Sequence, residues 1–412
     1  MEYGLIGERL SHSYSPFIHK AIGDYPYELC ELSKSGLSAF FKKRDFRAIN
    51  VTIPYKETVI PYLDGISPEA AAIGSVNTVV KRGDRLFGYN TDFLGMRALI
   101  ERRGISLLGK KVLILGTGGT AKTAGAVAAA LGAAKIVTVS RKKSKTTATY
   151  EEAVTLHRDA SILINTTPVG MYPSTEGQPI SLTPFSDLEA VFDAIYNPLR
   201  SDLIMEATSR GILAEGGLYM LASQAVFASA LFFDRAPKAE EIENVYQIVL
   251  QKTQSIVFIG MPSSGKSTVG KLLSEKLGRP FFDSDDCLAE ELPTSIADYI
   301  KSEGEEAFRD KETEVIRRLS ARGGLVIATG GGAVLRKENL RLLRKNGLIV
   351  FLDRPLSSLT PTIDRPLSSS SDALSALYEK RYPLYCEAAD LHLSVCGTPS
   401  EIADRLIKEI QL

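Results

Sequence analysis

Short apolar runs alternate with amphipathic segments along the whole chain, the rhythm of strand–helix units that build parallel sheets. Lys110-Lys-Val-Leu-Ile-Leu-Gly116 reads as a buried strand stopped by glycine, and Ile136-Val-Thr-Val139 as the next strand. From Ala239 to Gln251, Ile242, Val245, Tyr246 and Val249 recur at i, i+3, i+4 and i+7, which predicts a helix with one buried face. Ser255-Ile-Val-Phe-Ile-Gly260 opens another buried strand almost at once, leaving Lys252 to Gln254 as linker. The uncharged stretch from Gly216 to Phe233 holds two glycines, Ser223, Gln224 and Ser229, and is predicted as a buried helix rather than a membrane span. The pattern predicts an α/β chain of three lobes, spanning residues 1–100, 101–252 and 253–412.

Composition narrows the class. A chain of 412 residues, 44% hydrophobic and 24% charged, is long enough for two or three folded domains and excludes a disordered or fibrous protein. Its 49 basic residues equal its 49 acidic ones, so bulk charge gives no reason to expect a nucleic acid or an anionic membrane as partner. Cys30, Cys287, Cys386 and Cys396 are scattered with no CxxC pair, which argues against a zinc site or disulfide framework and for reduced thiols in a cytoplasmic compartment. The opening Met-Glu-Tyr-Gly-Leu carries no basic-then-apolar signal pattern.

Two glycine-rich phrases carry nucleotide chemistry. After the strand ending at Leu115 come Gly116, Gly118, Gly119, Thr120 and Ala121, where backbone N–H groups and a helix N-terminus can hold a pyrophosphate. A tight strand-to-helix turn would look similar. The following strand ends in Ser140, Arg141, Lys142, Lys143, Ser144 and Lys145, where an NAD enzyme would place an acidic residue on the ribose. Cations there favour a 2′-phosphate, with a solvated basic loop as the alternative. Gly260-Met-Pro-Ser263-Ser264-Gly265-Lys266-Ser267 is a full GxxxxGK[ST] ahead of a helix beginning at Thr268. Its backbone N–H groups ring the phosphates, Lys266 spans β and γ oxygens, and the Ser267 hydroxyl reaches Mg²⁺.

Further motifs follow in order. They are Gly7-Glu-Arg-Leu-Ser-His-Ser13-Tyr-Ser15, Asn50-Val-Thr52-Ile-Pro-Tyr-Lys56, Gly74-Ser-Val-Asn77, Gly88-Tyr-Asn90-Thr91-Asp92, Asn165-Thr-Thr-Pro-Val-Gly-Met171, Tyr196-Asn-Pro and Gly217-Leu-Tyr-Met-Leu-Ala-Ser-Gln224. With them the first 250 residues resemble shikimate dehydrogenase. Phe281-Phe-Asp283-Ser-Asp285, Glu305-Glu-Ala-Phe-Arg309-Asp-Lys-Glu312, Ile327-Ala-Thr-Gly330-Gly331-Gly332, Arg365-Pro-Leu and Arg381-Tyr-Pro-Leu-Tyr385 make residues 255–412 resemble shikimate kinase.

The first resemblance implies an N-terminal α/β substrate domain and a Rossmann NADP-binding domain whose last helices return to the first lobe. It implies reduction of 3-dehydroshikimate by NADPH, with Lys56 supplying the proton and Asp92 holding the ammonium while accepting a substrate hydroxyl. Ser13 and Ser15 would hold the substrate carboxylate, and Thr52, Asn77, Tyr196 and Gln224 would hydrogen-bond the hydroxylated ring. Gly217 would lie near the nicotinamide, and Ser140, Arg141 and Lys145 at the 2′-phosphate. The second resemblance implies a P-loop kinase domain with a parallel sheet that phosphorylates shikimate with ATP and Mg²⁺. Ser267 and Asp283 would serve the metal, Asp285 the attacking hydroxyl, Arg309, Arg381 and Gly331 the substrate, and Arg365 the transferred phosphate from a lid. His12 and His19 read as structural. Two alternatives remain at this level: a metabolite-sensing regulator built from retired enzyme domains, and an NAD-linked quinate or shikimate oxidation enzyme in the first half.

Overall fold

The computed structural model describes residues 1–10, 13–359 and 371–410. Its chain packs as two compact units, one made of Met1–Met171, Glu176–Tyr196 and Ser201–Leu250, the other of Tyr172–Thr175, Asn197–Arg200 and Gln251–Leu412. The division after Leu250 falls close to the sequence boundary, but two short segments inside 101–252 group with the second unit.

The first unit holds two sheets. One is formed by β1 (Tyr3–Gly7), β2 (Glu28–Glu31), β3 (Ala48–Val51), β4 (Gly65–Ile66), β5 (Thr78–Arg82) and β6 (Arg85–Tyr89), in the order β2-β1-β3-β5-β6-β4. β1 runs parallel to β2 and β3, but β5 is antiparallel to both β3 and β6. The strand–helix rhythm predicted parallel pairing. The departure comes from Gly83-Asp84, a two-residue connection between β5 and β6 with Gly83 at φ +59, too short for anything but a hairpin.

The second sheet contains β7 (Lys111–Leu115), β8 (Lys135–Ser140), β9 (Thr147–Thr149), β10 (Ile162–Asn165), β11 (Ala190–Asp193) and β12 (Leu213–Glu215). All pair in parallel, in the order β12-β11-β10-β7-β8-β9, so the direction of winding reverses between β7 and β10. A doubly wound sheet opens its crevice at that reversal, beyond the carboxyl ends of the strands. Leu113, Leu115, Val139, Leu163 and Val191 are fully buried beneath it.

The helix Leu218–Phe232 packs back on the first sheet, where its Ala228 and Phe232 share a core cluster with Tyr3, Ala48 and Val80. It lies against the helix Thr91–Arg102, and the approach depends on Gly95. A Cβ there would meet the Met220 carbonyl oxygen at 2.7 Å and the Gln224 Cβ at 3.0 Å. Asn90 caps the Thr91–Arg102 helix by accepting from the Phe93 N–H at 3.0 Å, which sets Asp92 in the first turn. No helix among the described residues is long and apolar enough to cross a membrane.

The second unit is built on β13 (Ser255–Ile259), β14 (Phe281–Asp283), β15 (Val326–Ala328), β16 (Gly347–Asp353) and β17 (Leu391–Ser394). All are parallel, ordered β14-β15-β13-β16-β17, with β13 central and buried along its whole length. The helix Lys266–Leu277 follows β13 directly after the glycine-rich turn.

His19 lies in the core of the first unit. Its ring stacks on Tyr27 with centroids 3.8 Å apart, and its Nδ1 is 2.6 Å from the Tyr25 hydroxyl. Burial lowers its pKa to about 3, with the Asn50 side chain opposing. The folded chain therefore binds fewer protons here than the unfolded chain between about pH 3 and 6.5, so stability falls as pH falls through that window. From neutral pH to pH 5 this single group is expected to cost roughly 2 kcal/mol. Urea unfolding followed by tyrosine fluorescence should show a shallower decline in His19→Phe than in the wild type; parallel declines would exclude His19 as the acid-sensitive group.

Candidate active sites

The first unit encloses a cavity of about 600 Å³, lined by Ser13, Ser15, Thr52, Lys56, Asn77, Asp92, Thr120, Tyr196, Gly217 and Gln224 among the residues singled out from sequence. Lys56 stands in the turn after β3, where the Tyr55 N–H donates to the Thr52 carbonyl at 2.9 Å and the Lys56 carbonyl accepts from the Val76 N–H at 2.8 Å. The Tyr55 side chain is buried beneath, so the Lys56 side chain projects from a fixed backbone. Its Nζ is 2.7 Å from the Asp92 carboxylate. The two residues are 36 positions apart and meet because the Thr91–Arg102 helix starts beside the end of β3.

Asn77 orients this end of the cavity. Its Oδ1 accepts from the Thr91 N–H at 2.7 Å and from the hydroxyls of Thr78 at 3.1 Å and Thr91 at 3.2 Å. Asn50 was not singled out from sequence, yet it lines the cavity and ties two layers together. It accepts from the Tyr27 hydroxyl at 2.7 Å and donates to the Thr78 hydroxyl at 3.0 Å. A signal was present, since Asn50 stands two residues before Thr52 and an extended segment turns i and i+2 to one side. Burial pushes the Tyr27 and Tyr196 phenols up, keeping both as neutral hydrogen-bonding groups.

Beside the cavity, Gly116 ends β7 at φ +109, and a Cβ there would meet the Thr166 hydroxyl at 2.7 Å. Gly118 caps the helix Gly119–Ala130, with Thr120 and Ala121 in its first turn, and the space above Gly118 and Gly119 is open. Open space over unshared N–H groups fits a pyrophosphate. At the end of β8 the Ser140 hydroxyl accepts from the Lys142 N–H at 3.1 Å, and Lys143 pairs with Glu152. Arg141 and Lys145 are exposed and have no ion-pair partner among the described residues. Gly217 donates to the Ile195 carbonyl at 2.8 Å, and a Cβ there would overlap the Ala194 carbonyl oxygen. Arg102, also absent from the sequence reading, steadies this loop. Its guanidinium lies over the rings of Tyr219 and Tyr246 at 4.3 and 4.4 Å and pairs with Glu215 at 3.2 Å.

In the second unit the turn after β13 carries three positive-φ residues, Gly260 at +145, Ser263 at +62 and Gly265 at +98. The Lys266 ammonium donates to the carbonyls of Gly260 at 3.0 Å and Met261 at 2.8 Å, inside its own loop. The Ser264 hydroxyl is buried with no partner among the described residues. A buried donor facing a ring of N–H groups fits an anionic phosphate. Ser267 donates to the Asp283 carboxylate, and Thr268 continues the first turn of the helix. A hydroxyl and one carboxylate side by side fit Mg²⁺, which takes most of its other ligands from water and phosphates.

Asp285 lies beside the Gly330–Gly332 turn: its N–H donates to Asp283 at 2.9 Å, and a Cβ on Gly330 would overlap its carboxylate. The same turn leaves room for Arg309 over Gly332. Arg309 pairs with Glu312 at 2.9 Å and Glu305 at 3.2 Å. Burial raises the Glu312 carboxyl, and Arg309 opposes that shift. Arg381 is buried in the same cluster and its Nε has no partner among the described residues. Tyr385, pushed up to about 12 by burial, donates to the Gly331 carbonyl at 2.5 Å. Arg365 lies outside the described residues, as does His12.

Comparison with known proteins covers both units. The family model "Shikimate dehydrogenase substrate binding domain" matches residues 5–79 and the model "Shikimate kinase" matches residues 262–411. A protein of Clostridium beijerinckii named shikimate dehydrogenase (NADP(+)) is 36% identical over 274 residues, which cover 62% of this chain and 97% of that relative. The solved structure of shikimate dehydrogenase 1 from Peptoclostridium difficile superposes with a TM-score of 0.54 at 37% identity, covering 60% of this chain and 98% of the other. A Thermus thermophilus shikimate 5-dehydrogenase solved with NADP(H) and shikimate gives 0.54 at 29% identity, with 60% and 99% covered.

Gly217→Ala tests the closeness of the loop at the cavity mouth. The added methyl must displace the backbone or Ala194, and overpacking of this kind costs about 1 to 3 kcal/mol. NADPH binding, followed by fluorescence titration, is expected to weaken at least about tenfold while circular dichroism stays native. An unchanged affinity would show that the loop absorbs the methyl without moving the cavity wall.

Proposed function

The chain belongs to the shikimate dehydrogenase family and carries a shikimate kinase domain behind it, and from that premise we propose how its side chains divide the work of a bifunctional shikimate-pathway enzyme. It reduces 3-dehydroshikimate to shikimate and phosphorylates shikimate to shikimate 3-phosphate. NADPH supplies the hydride and ATP the phosphoryl group. Residues 1–100 form the substrate lobe, 101–252 the NADP-binding lobe and 253–412 the kinase.

The observation that carries the first reaction is the 2.7 Å Lys56–Asp92 pair in the wall of a cavity whose other polar lining is mostly hydroxyls and amides. Reduction at C3 leaves negative charge on the former carbonyl oxygen, and the Lys56 ammonium delivers the proton to it. Asp92 fixes that ammonium and accepts a ring hydroxyl. Ser13 and Ser15 hold the carboxylate, while Thr52, Asn77, Tyr196 and Gln224 match the remaining hydroxyls. Unmatched analogues would leave these groups unpaired, which is the basis of discrimination. Gly116, Gly118, Gly119, Thr120 and Ala121 receive the pyrophosphate, Ser140, Arg141 and Lys145 the 2′-phosphate, and Gly217 the nicotinamide face.

In the second unit Asp285 orients the attacking hydroxyl and takes its proton, and Arg309 and Arg381 hold the substrate carboxylate against the Gly331 turn. The unpartnered Nε of buried Arg381 supports that role. Gly260, Ser263, Ser264, Gly265, Lys266 and Thr268 receive the nucleotide, Ser267 and Asp283 the Mg²⁺, and Arg365 stabilises charge on the transferred group. The partners are these small molecules, with no part for nucleic acid or membrane. None of the four cysteines is disulfide-bonded, which supports a cytoplasmic enzyme.

Lys56→Ala is expected to abolish NADPH oxidation with 3-dehydroshikimate and leave ATP-dependent phosphorylation of added shikimate intact, and Lys266→Ala to do the reverse. Loss of both activities from either change in a folded chain would refute the division of labour.

Cofactor choice should reside in Arg141 and Lys145, since each charge-assisted contact with a 2′-phosphate is worth about 1.5 to 3 kcal/mol. Changing both to Ser should raise the NADPH KM at least about tenfold more than the NADH KM. Equal effects on the two cofactors would place these cations away from the phosphate.

A further inference from the structure

Three charged side chains line the cavity of the first unit: Arg9, Lys56 and Asp92. Lys56 and Asp92 stand 2.7 Å apart and cancel. Arg9 has no hydrogen-bond or ion-pair partner among the described residues and its side chain is exposed, so the cavity lining carries one uncompensated, solvent-accessible positive charge and Arg9 is its source.

The backbone around Arg9 is held from both sides. The Leu32 N–H donates to the Gly7 carbonyl at 2.8 Å, the Leu10 N–H to the Glu31 carboxylate at 2.7 Å, and the Ser13 N–H to the Leu10 carbonyl at 3.0 Å. Leu10 is itself buried. Arg9 lines the same cavity as Ser13 and Ser15, so the cation and the two hydroxyls share one pocket. The acidic groups nearest in the chain and across the turn, Glu8 and Glu31, are not ion-paired with Arg9, and Glu31 is engaged by a backbone N–H.

We propose that Arg9 is a specificity-determining residue of the reductase site, supplying the charge that selects a carboxylate-bearing substrate. This rests on the reading that the cavity reduces 3-dehydroshikimate. Serine hydroxyls can bond a carboxylate but carry no net charge to offset it, whereas a guanidinium offers both charge and a planar fork of donors. A cavity of about 600 Å³ is on the order of 10 Å across, comparable with the screening length of about 8 Å at physiological salt. A carboxylate bound beside Arg9 lies within that length, and because Arg9 is exposed the attraction is open to screening by salt.

The test compares the full-length wild type with Arg9→Gln and Arg9→Lys, using 3-dehydroshikimate, its uncharged methyl ester, and NADPH as varied substrates. Phosphorylation of added shikimate by the same preparations checks that the chain is folded. Arg9→Gln is expected to raise the KM for the acid about five- to tenfold, mainly in KM rather than kcat, and to leave the KM for the ester and for NADPH unchanged. Arg9→Lys should restore most of the loss. The wild-type KM for the acid should climb with added salt, and that dependence should flatten in Arg9→Gln. An unchanged KM for the acid, an equal rise for acid and ester, or a rise confined to NADPH would each overturn the proposal while leaving the reductase reading in place. Failure of the wild type to reduce 3-dehydroshikimate at all would remove that reading, and the proposal with it.

Discussion

Parallel strands all finish at the same edge of their sheet, and this constraint locates both nucleotide sites. β7 ends at Leu115 and β13 at Ile259, and in each case the next residue is a glycine with positive φ, Gly116 at +109 and Gly260 at +145. Glycine lets the chain turn over the edge without a Cβ in the way, and the helix that follows begins with unshared N–H groups facing the crevice. The two units then differ in where the balancing cation comes from. In the first the nearby cations stand beyond the end of the neighbouring strand, at Arg141 and Lys145; in the second Lys266 lies inside the loop itself, donating to the Gly260 and Met261 carbonyls.

The two sites recognise related ring acids by different electrostatic means. In the first, Lys56 and Asp92 neutralise each other, and the rest of the wall is hydroxyls, amides and apolar side chains with Arg9 as its one further charge. In the second, the Arg309–Glu312 pair is almost fully withdrawn from water, with side-chain exposures of 9% and 2%. Removing one partner of such a pair strands the other and costs about 3 to 5 kcal/mol, so Arg309 and Glu312 depend on each other for their place in the fold. Arg381, buried with one donor unsatisfied, is the group in that cluster whose hydrogen bonding a bound carboxylate would complete.

What could be read from sequence tracks how local each feature is. The span Gly260 to Thr268 was legible because a phosphate loop needs only one contiguous stretch. Lys56 and Asp92 are 36 residues apart, and Arg309 and Arg381 farther still. No periodicity brings such pairs together, and only the family resemblance pointed to them. Asn50 and Arg9 lie within the sequence motifs but cannot be picked out there, because what each can do depends on the neighbours the fold supplies, Tyr27 and Thr78 for one and an otherwise neutral cavity wall for the other. The β5–β6 hairpin was missed although Gly83-Asp84 is a strong turn signal, because the strand–helix rhythm around it drew the reading toward parallel pairing.

The junction between the two activities has its own consequence. The helix Ala239–Thr253 and β13, starting at Ser255, leave Gln254 as the single residue between regular elements. Proteases cut where several consecutive residues can be drawn out of structure into an extended conformation, and loop tips are their usual points of entry. One residue between a helix and a central strand offers no such segment. Nicking at this junction therefore has no local foothold, and the two domains are kept in equal number for as long as the junction stays folded.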